Sequence, residues 1–207
     1  MKFLEKLWHI CQGTGNASAE NSTDNVFTLA NAVTFAGIVA IIGIPPAVST
    51  GHTAIAAILA SVGLLSDVLD GHIARVTGTF SRVGKVLDWG RDALLRMATL
   101  AVIITMLPSY GIIITSFAMA LAEAWMISVE ARYINEGRML RDQHERLPGM
   151  RIEIQGHTWV VVRQTALGLA LIALILMPDW RSTMAAAALT IAALNAALFA
   201  LEYRQKG

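Results

Sequence analysis

The sequence predicts an all-α integral membrane protein: six transmembrane helices behind a short amphipathic helix lying in the interface. Three observations carry this. Apolar residues make up 55% of the 207-residue chain and charged residues only 15%, with a mean hydropathy of +0.56. A soluble domain is nearer half apolar and a quarter charged. The apolar residues fall into six stretches, each close to the ~20 residues a helix needs to cross ~30 Å of hydrocarbon. The basic residues gather in the connections on one side.

Met1 to Gln12 sets Phe3, Leu4, Leu7, Trp8 and Cys11 at helical spacing against Lys2, Glu5, Lys6 and His9. That pattern suits an interfacial helix and is too short and charged for a signal-peptide core. Gly13 to Asp24 is polar and reads as a linker. Residues 1–24 therefore form the amphipathic helix and linker, and 25–207 the six-span domain. Cys11 is the one cysteine, which excludes an intrachain disulfide and a cysteine-based metal cluster.

The first span is expected from Val26 to Ile44, ended by Pro45-Pro46. The second begins near Thr53, the third ends near Leu107-Pro108, and the fourth starts near Gly111. The fifth runs from Thr158 to Met177-Pro178 and the sixth from Ser182 to Leu201. Ala57, Ala60 and Gly63 in span two, and Ala185 to Ala188, Ala192 and Ala193 in span six, allow close helix packing.

On one side of these spans lie Lys2 and Lys6, then Arg75, Arg82, Lys85 and Arg91. Arg132, Arg138, Arg141, Arg146, Arg151, Arg204 and Lys206 follow on the same side, and Arg181 stands alone on the other. The positive-inside rule puts the first group, and both termini, in the cytoplasm. The expected location is the membrane itself, in a bacterium the cytoplasmic (inner) membrane.

Ser66 to Asp92 carries the chemistry. Asp67 and Asp70, then Asp88 and Asp92, are spaced three and four apart, so each pair shares a helix face. With Gly71, Ala74, Arg75 and Gly84 the stretch reads D-x2-D-G-x2-A-R-x8-G-x3-D-x3-D, eight fixed positions over 26 residues. This resembles the signature of the CDP-alcohol phosphotransferases, membrane enzymes that transfer a phosphate-linked group from a CDP-activated donor to an alcohol. Asn31 and Thr34 resemble a family element that helps form the cytidine pocket. The chain departs from the family at Ala30, where proline usually precedes the asparagine, and at Ala93, where a basic residue commonly follows the last aspartate.

Helix rise carries the motif to depth. Asp67 lies ~21 Å from Thr53, and Asp92 roughly 22 Å from Leu107, at 1.5 Å per residue. Both pairs then reach one level in the cytoplasmic third of the bilayer. Carboxylates gathered there repel unless cations share the site. Oxygen-only ligands suit Mg²⁺ or Mn²⁺, and two ions bridged by shared carboxylates form a clamp for a transferring phosphoryl group.

The resemblance implies that Asp67, Asp70, Asp88 and Asp92 bind the metals and that Asp92 also takes the acceptor's proton. It assigns Asn31, Thr34, Asp67, Gly71, Ala74, Arg75 and Gly84 to CDP. It implies transfer of a phosphatidyl group from a lipid such as CDP-diacylglycerol, release of CMP, and a homodimer. Arg132, Arg138 and Arg163 are the candidate ligands of a phosphorylated acceptor. Glycerol 3-phosphate leads, as in the phosphatidylglycerophosphate synthase-like branch; inositol phosphate, serine, inositol or another alcohol stay open. Arg163 has a structural alternative, an ion pair with Glu130 or Glu123. Arg96 and Glu123 read as a structural ion pair, His72 as incidental, and the tryptophans as packing or interface anchors. Two other classes remain: a transporter using the carboxylates as a proton relay, and a non-catalytic scaffold.

Overall fold

The computed structural model describes residues 28–77, 82–135 and 157–206. Within them every regular element is helical. In chain order they are α1 (Leu29–Ser49), α2 (Thr53–Thr77), α3 (Arg82–Met106), α4 (Tyr110–Asn135) and α5 (His157–Leu176). A short 3₁₀ turn, Pro178–Trp180, leads into α6 (Arg181–Lys206). The expected amphipathic helix and linker of residues 1–24, and the cations Arg138, Arg141, Arg146 and Arg151, lie outside the described residues.

Thr28 opens α1: its hydroxyl accepts from the Asn31 backbone N–H at 3.1 Å, satisfying one of the first-turn donors. The far end differs from expectation, because Pro45 and Pro46 lie inside α1, which continues to Ser49. A proline ring already holds the helical φ, so near a helix end its main cost is the missing N–H. Here that deprives only the carbonyls of Ile41 and Ile42 of their usual donors. The turn beyond closes tightly, with His52 N–H donating to Ala47 O at 2.8 Å and Gly51 N–H to Val48 O at 3.0 Å. That double closure requires a left-handed residue, supplied by Gly51 at φ 79°. It folds α2 straight back against α1.

The Leu29–Ser49, Thr53–Ala74, Tyr110–Val129 and Pro178–Leu201 segments are long and apolar enough to cross a membrane. Leu29, Phe35, Ile58, Leu65, Ile114 and Phe117 all point outward, an apolar surface suited to lipid. The chain is an integral membrane protein. Helix α5 is apolar over the shorter stretch Val162–Leu176, and α3, which carries half of the acidic motif, is the most enclosed helix. Helix α3 packs on α1, α4, α5 and α6, and α5 on α2, α3 and α6. Polar side chains on α3, such as Arg91, Arg96 and Thr99, therefore meet protein instead.

One core runs through the bundle, built from Ile41, Ile44, Ala56, Ala60, Val102, Ile103, Leu171, Leu174 and Ala188 among others. The expected small-residue faces carry its close approaches. A Cβ at Gly63 would stand 2.8 Å from Ile41 Cγ1, and one at Gly168 would stand 2.8 Å from Leu64 Cδ1. On α6 the inward stripe is Ala185, Ala188, Ala192 and Asn195; Ala186, Ala187 and Ala193 face outward.

Candidate active site

Three helices build the site. From α2 come Asp67 and Asp70, and from α3 come Asp88, Arg91 and Asp92. Helix α1, packed against both, adds Asn31, Thr34 and Gly37. Oxygens of Asp67, Asp70 and Asp88 all lie within 4.8 Å of one another. That convergence of hard oxygen donors on one point fits a divalent cation such as Mg²⁺ or Mn²⁺. Thr34 Oγ1 lies 2.6 Å from Asp70 Oδ2 and 3.0 Å from its own helix's Ala30 carbonyl. Its single proton is best used on the carboxylate, where the bond is shorter and charge-assisted. Asn31 and Thr34 are both buried, one turn apart.

Arg91 is the residue that motif spacing did not single out. Positive-inside counting put it in a cytoplasmic connection, whereas it sits inside α3 with its side chain only 3% exposed. The difference arises because its guanidinium turns inward, where four carboxylates compensate its charge. Nη1 donates to Asp70 Oδ2 at 2.8 Å, while Nη2 reaches Asp88 Oδ1 at 2.5 Å and Asp92 Oδ1 at 3.1 Å. Nη2 also pairs with Asp67 Oδ1. A signal was present in the sequence: Arg91 follows Asp88 by three residues, so the two share a helix face.

The remaining assigned residues divide. Gly71 and Ala74 are half-buried on α2, and Gly84 is half-buried in the first turn of α3. Arg75 and Arg132 belong to α2 and α4, but their side chains lie outside the described residues, as does the whole of Arg138. Arg163 is half-buried and donates through Nη1 to Asn195 Oδ1 on α6. It lines a small pocket with Arg96, Thr99, Glu123 and Asn195, and none of the four aspartates borders that pocket. Arg96 and Thr99 follow Asp92 by four and seven residues. By helix rise those two residues lie about 6–10 Å beyond Asp92 along α3, so the pocket that Arg163 lines is set apart from the aspartates. Asn195 was not foreseen, since a lone asparagine in an alanine-rich helix carries no periodic signal. Glu123, the alternative partner considered for Arg163, is paired with Arg96.

No curated relative and no solved structure matches the chain. The family described as CDP-alcohol phosphatidyltransferase does match, over residues 27–198, a range that takes in α1 to α5, most of α6 and every assigned site residue. With three of the motif's four aspartates converging on one point, the chain belongs to the CDP-alcohol phosphatidyltransferase family, transferases that move a phosphatidyl group from a CDP-linked alcohol to an alcohol acceptor.

Proposed function

We propose that this enzyme transfers the phosphatidyl group of a CDP-linked lipid such as CDP-diacylglycerol to glycerol 3-phosphate, releasing CMP. The observation that carries the reading is the convergence of Asp67, Asp70 and Asp88 from two helices, with Asp92 tied to them through Arg91. Intramembrane carboxylates are costly and mark function. The full set, with its glycines and Arg75, suits a CDP-lipid rather than a proton relay.

In this reading Asp67, Asp70 and Asp88, with Asp92 at the edge, hold Mg²⁺ or Mn²⁺. The bound ions supply positive charge against the donor pyrophosphate and the leaving CMP. Asn31 and Thr34 serve the cytidine end of the pocket, Gly71, Ala74 and Gly84 leave room for the nucleotide, and Arg75 is the residue assigned to the pyrophosphate. Asp92 accepts the proton of the acceptor hydroxyl as its oxygen attacks the lipid-linked phosphorus. The bond from that phosphorus to the bridging oxygen breaks, CMP leaves, and a new phosphodiester remains on the lipid. Arg132, Arg138 and Arg163 serve the acceptor's own phosphate; Arg132 belongs to the last turn of α4 and Arg163 to the second turn of α5.

The same reading has all six helices spanning the membrane behind the interfacial helix of residues 1–24. The site and both termini face the cytoplasm, and the chain works as a homodimer. The test is CMP release by the purified enzyme from radiolabelled CDP-diacylglycerol with Mg²⁺ or Mn²⁺, across glycerol 3-phosphate, inositol phosphate, serine and inositol. Fastest turnover with glycerol 3-phosphate is expected. Fastest turnover with serine or inositol would remove the phosphorylated-acceptor reading, and no CMP with any acceptor would remove the catalytic one.

A further inference from the structure

Gln164 on α5 is a buried polar residue that the packing of the helices does not answer. It is 3% exposed, and neither its amide oxygen nor its amide nitrogen has a hydrogen-bond partner among the described residues. Both atoms are unmet, so exchanging the two ends of the amide would not change this. Buried amides are ordinarily satisfied, and an unmet donor and acceptor together stabilise a fold less than an apolar side chain of the same size. A glutamine at this point is explained by a partner from outside the fold.

The packing brings Gln164 to the level of the aspartates. Gln164, Gly168 and Leu171 are buried on one face of α5, spaced four and three apart. That face meets α2 closely, since a Cβ at Gly168 would stand 2.8 Å from Leu64 Cδ1. Leu64 precedes Asp67 by three residues, and Gln164 precedes Gly168 by four. With the spans alternating in direction as proposed, α2 and α5 are antiparallel and both steps lead the same way along the bundle. They amount to ~4.5 Å on α2 and ~6 Å on α5, so Gln164 and Asp67 reach nearly one level. The next residue toward the start of α5 is Arg163, which lines the pocket beside Arg96 and Asn195.

The amide's chemistry narrows the partner. A phosphate oxygen only accepts and would leave the amide oxygen unmet, whereas an ammonium only donates and would leave the nitrogen unmet. A hydroxyl does both. We propose that Gln164 binds the hydroxyl of the acceptor that does not react, the C2 hydroxyl of glycerol 3-phosphate. The residue thereby selects acceptors that carry a second hydroxyl beside the attacking one. This rests on the reading in which Asp92 takes the proton of the attacking hydroxyl and Arg163 serves the acceptor phosphate.

The test uses the full-length enzyme in detergent with CDP-diacylglycerol and Mg²⁺, and compares glycerol 3-phosphate with 3-hydroxypropyl phosphate. The second acceptor keeps the attacking hydroxyl and the phosphate and lacks the C2 hydroxyl. The native chain is expected to favour glycerol 3-phosphate by about tenfold or more in kcat/KM, because a missing hydroxyl leaves the site's own polar atoms unpaired. Gln164→Met keeps the length of the side chain and should bring the two acceptors close to parity, through a fall in kcat/KM for glycerol 3-phosphate. Its melting temperature without acceptor should equal or exceed the native value, since two unmet buried polar atoms are gone. Gln164→Leu should behave the same way if the methionine variant does not fold. Loss of stability in both variants would assign the amide to the fold and overturn the proposal. A native chain indifferent to the C2 hydroxyl, or a folded variant with the native preference, would overturn it while leaving the acceptor reading in place. No turnover of either acceptor by the native chain would overturn that reading and this proposal together.

Discussion

Arg96 and Glu123 meet inside the bundle: Nε donates to Glu123 Oε2 at 2.6 Å, and both side chains are buried. The pair joins α3 to α4 at a depth where an isolated charge has no water to turn to. Glu123 Oε1 has no hydrogen-bond partner among the described residues, so the arginine is its main compensation. Removing one member should therefore cost far more than removing both. Arg96→Leu or Glu123→Leu is expected to destabilise by about 3–5 kcal/mol, the usual cost of orphaning a buried charge, and the double variant by much less. Thermal unfolding in detergent, arranged as a double-mutant cycle, checks this. Single variants as stable as the native chain would show that the pair carries no such burden.

Gly37 makes a second structural prediction. A Cβ there would stand 2.0 Å from Ser66 Oγ and 2.8 Å from Ser66 Cβ, too close for any rotamer change at Ser66 to relieve. Gly37→Ala should cost about 1–3 kcal/mol through overpacking. It should also push α1 away from Arg91 and the acidic cluster. Because the clash includes the serine Cβ, Ser66→Ala should not rescue it, whereas Ser66→Gly should recover most of the melting temperature.

For the reaction, Asp92→Asn keeps shape and removes the base. CMP release is expected to fall by about 10²–10⁴-fold, the usual contribution of a positioned acid or base. CDP binding, followed by thermal stabilisation with CDP and Mg²⁺, should persist. Turnover at the native rate would end the assignment of Asp92 as the proton acceptor.

Thr34 tests the link between α1 and the carboxylates. Thr34→Val removes the hydroxyl from Asp70 Oδ2 without changing side-chain volume much. Loss of a hydrogen bond to a charged group costs about 1.5–3 kcal/mol. A corresponding loss of Mn²⁺ affinity is expected, with Thr34→Ser close to native. Equal Mn²⁺ affinities for the valine variant and the native chain would show that Thr34 serves packing alone.

Arg163→Ala addresses the acceptor. The side chain meets Asn195 in the pocket beside Arg96 and Glu123. If it also serves the acceptor phosphate, KM for glycerol 3-phosphate should rise at least tenfold with KM for the CDP-lipid nearly constant. A fall in kcat with both KM values steady would mean that it holds α5 and α6 together and touches no substrate. Asn195→Ala then gives the comparison, since it removes one structural partner and leaves the cation.

How far the sequence reached can be judged residue by residue. The start of α2 and the end of α3 followed from hydropathy: Thr53 begins α2 as expected, and α3 ends at Met106, one residue before the expected Leu107. The Arg96–Glu123 pair followed from matching depths on neighbouring spans. Local chemistry misled at Pro45-Pro46, because propensity penalises proline in a helix while a late-turn proline loses only a bond or two to carbonyls behind it.

What the sequence determined by itself was everything carried by composition and regular spacing: an apolar helical chain and a complete eight-position aspartate motif. Those signals are local, since a helix fixes which residues share a face before any partner is chosen. Which faces meet is not local. That Arg91 turns inward rather than toward water depends on α2 bringing Asp67 and Asp70 across from it, beside Asp88 and Asp92 of its own helix. That Arg163 meets Asn195 depends on how α5 and α6 pack. A long cation at a helix end has the same periodicity whether it reaches water or a buried acid, and only the packing of the other helices decides which is cheaper.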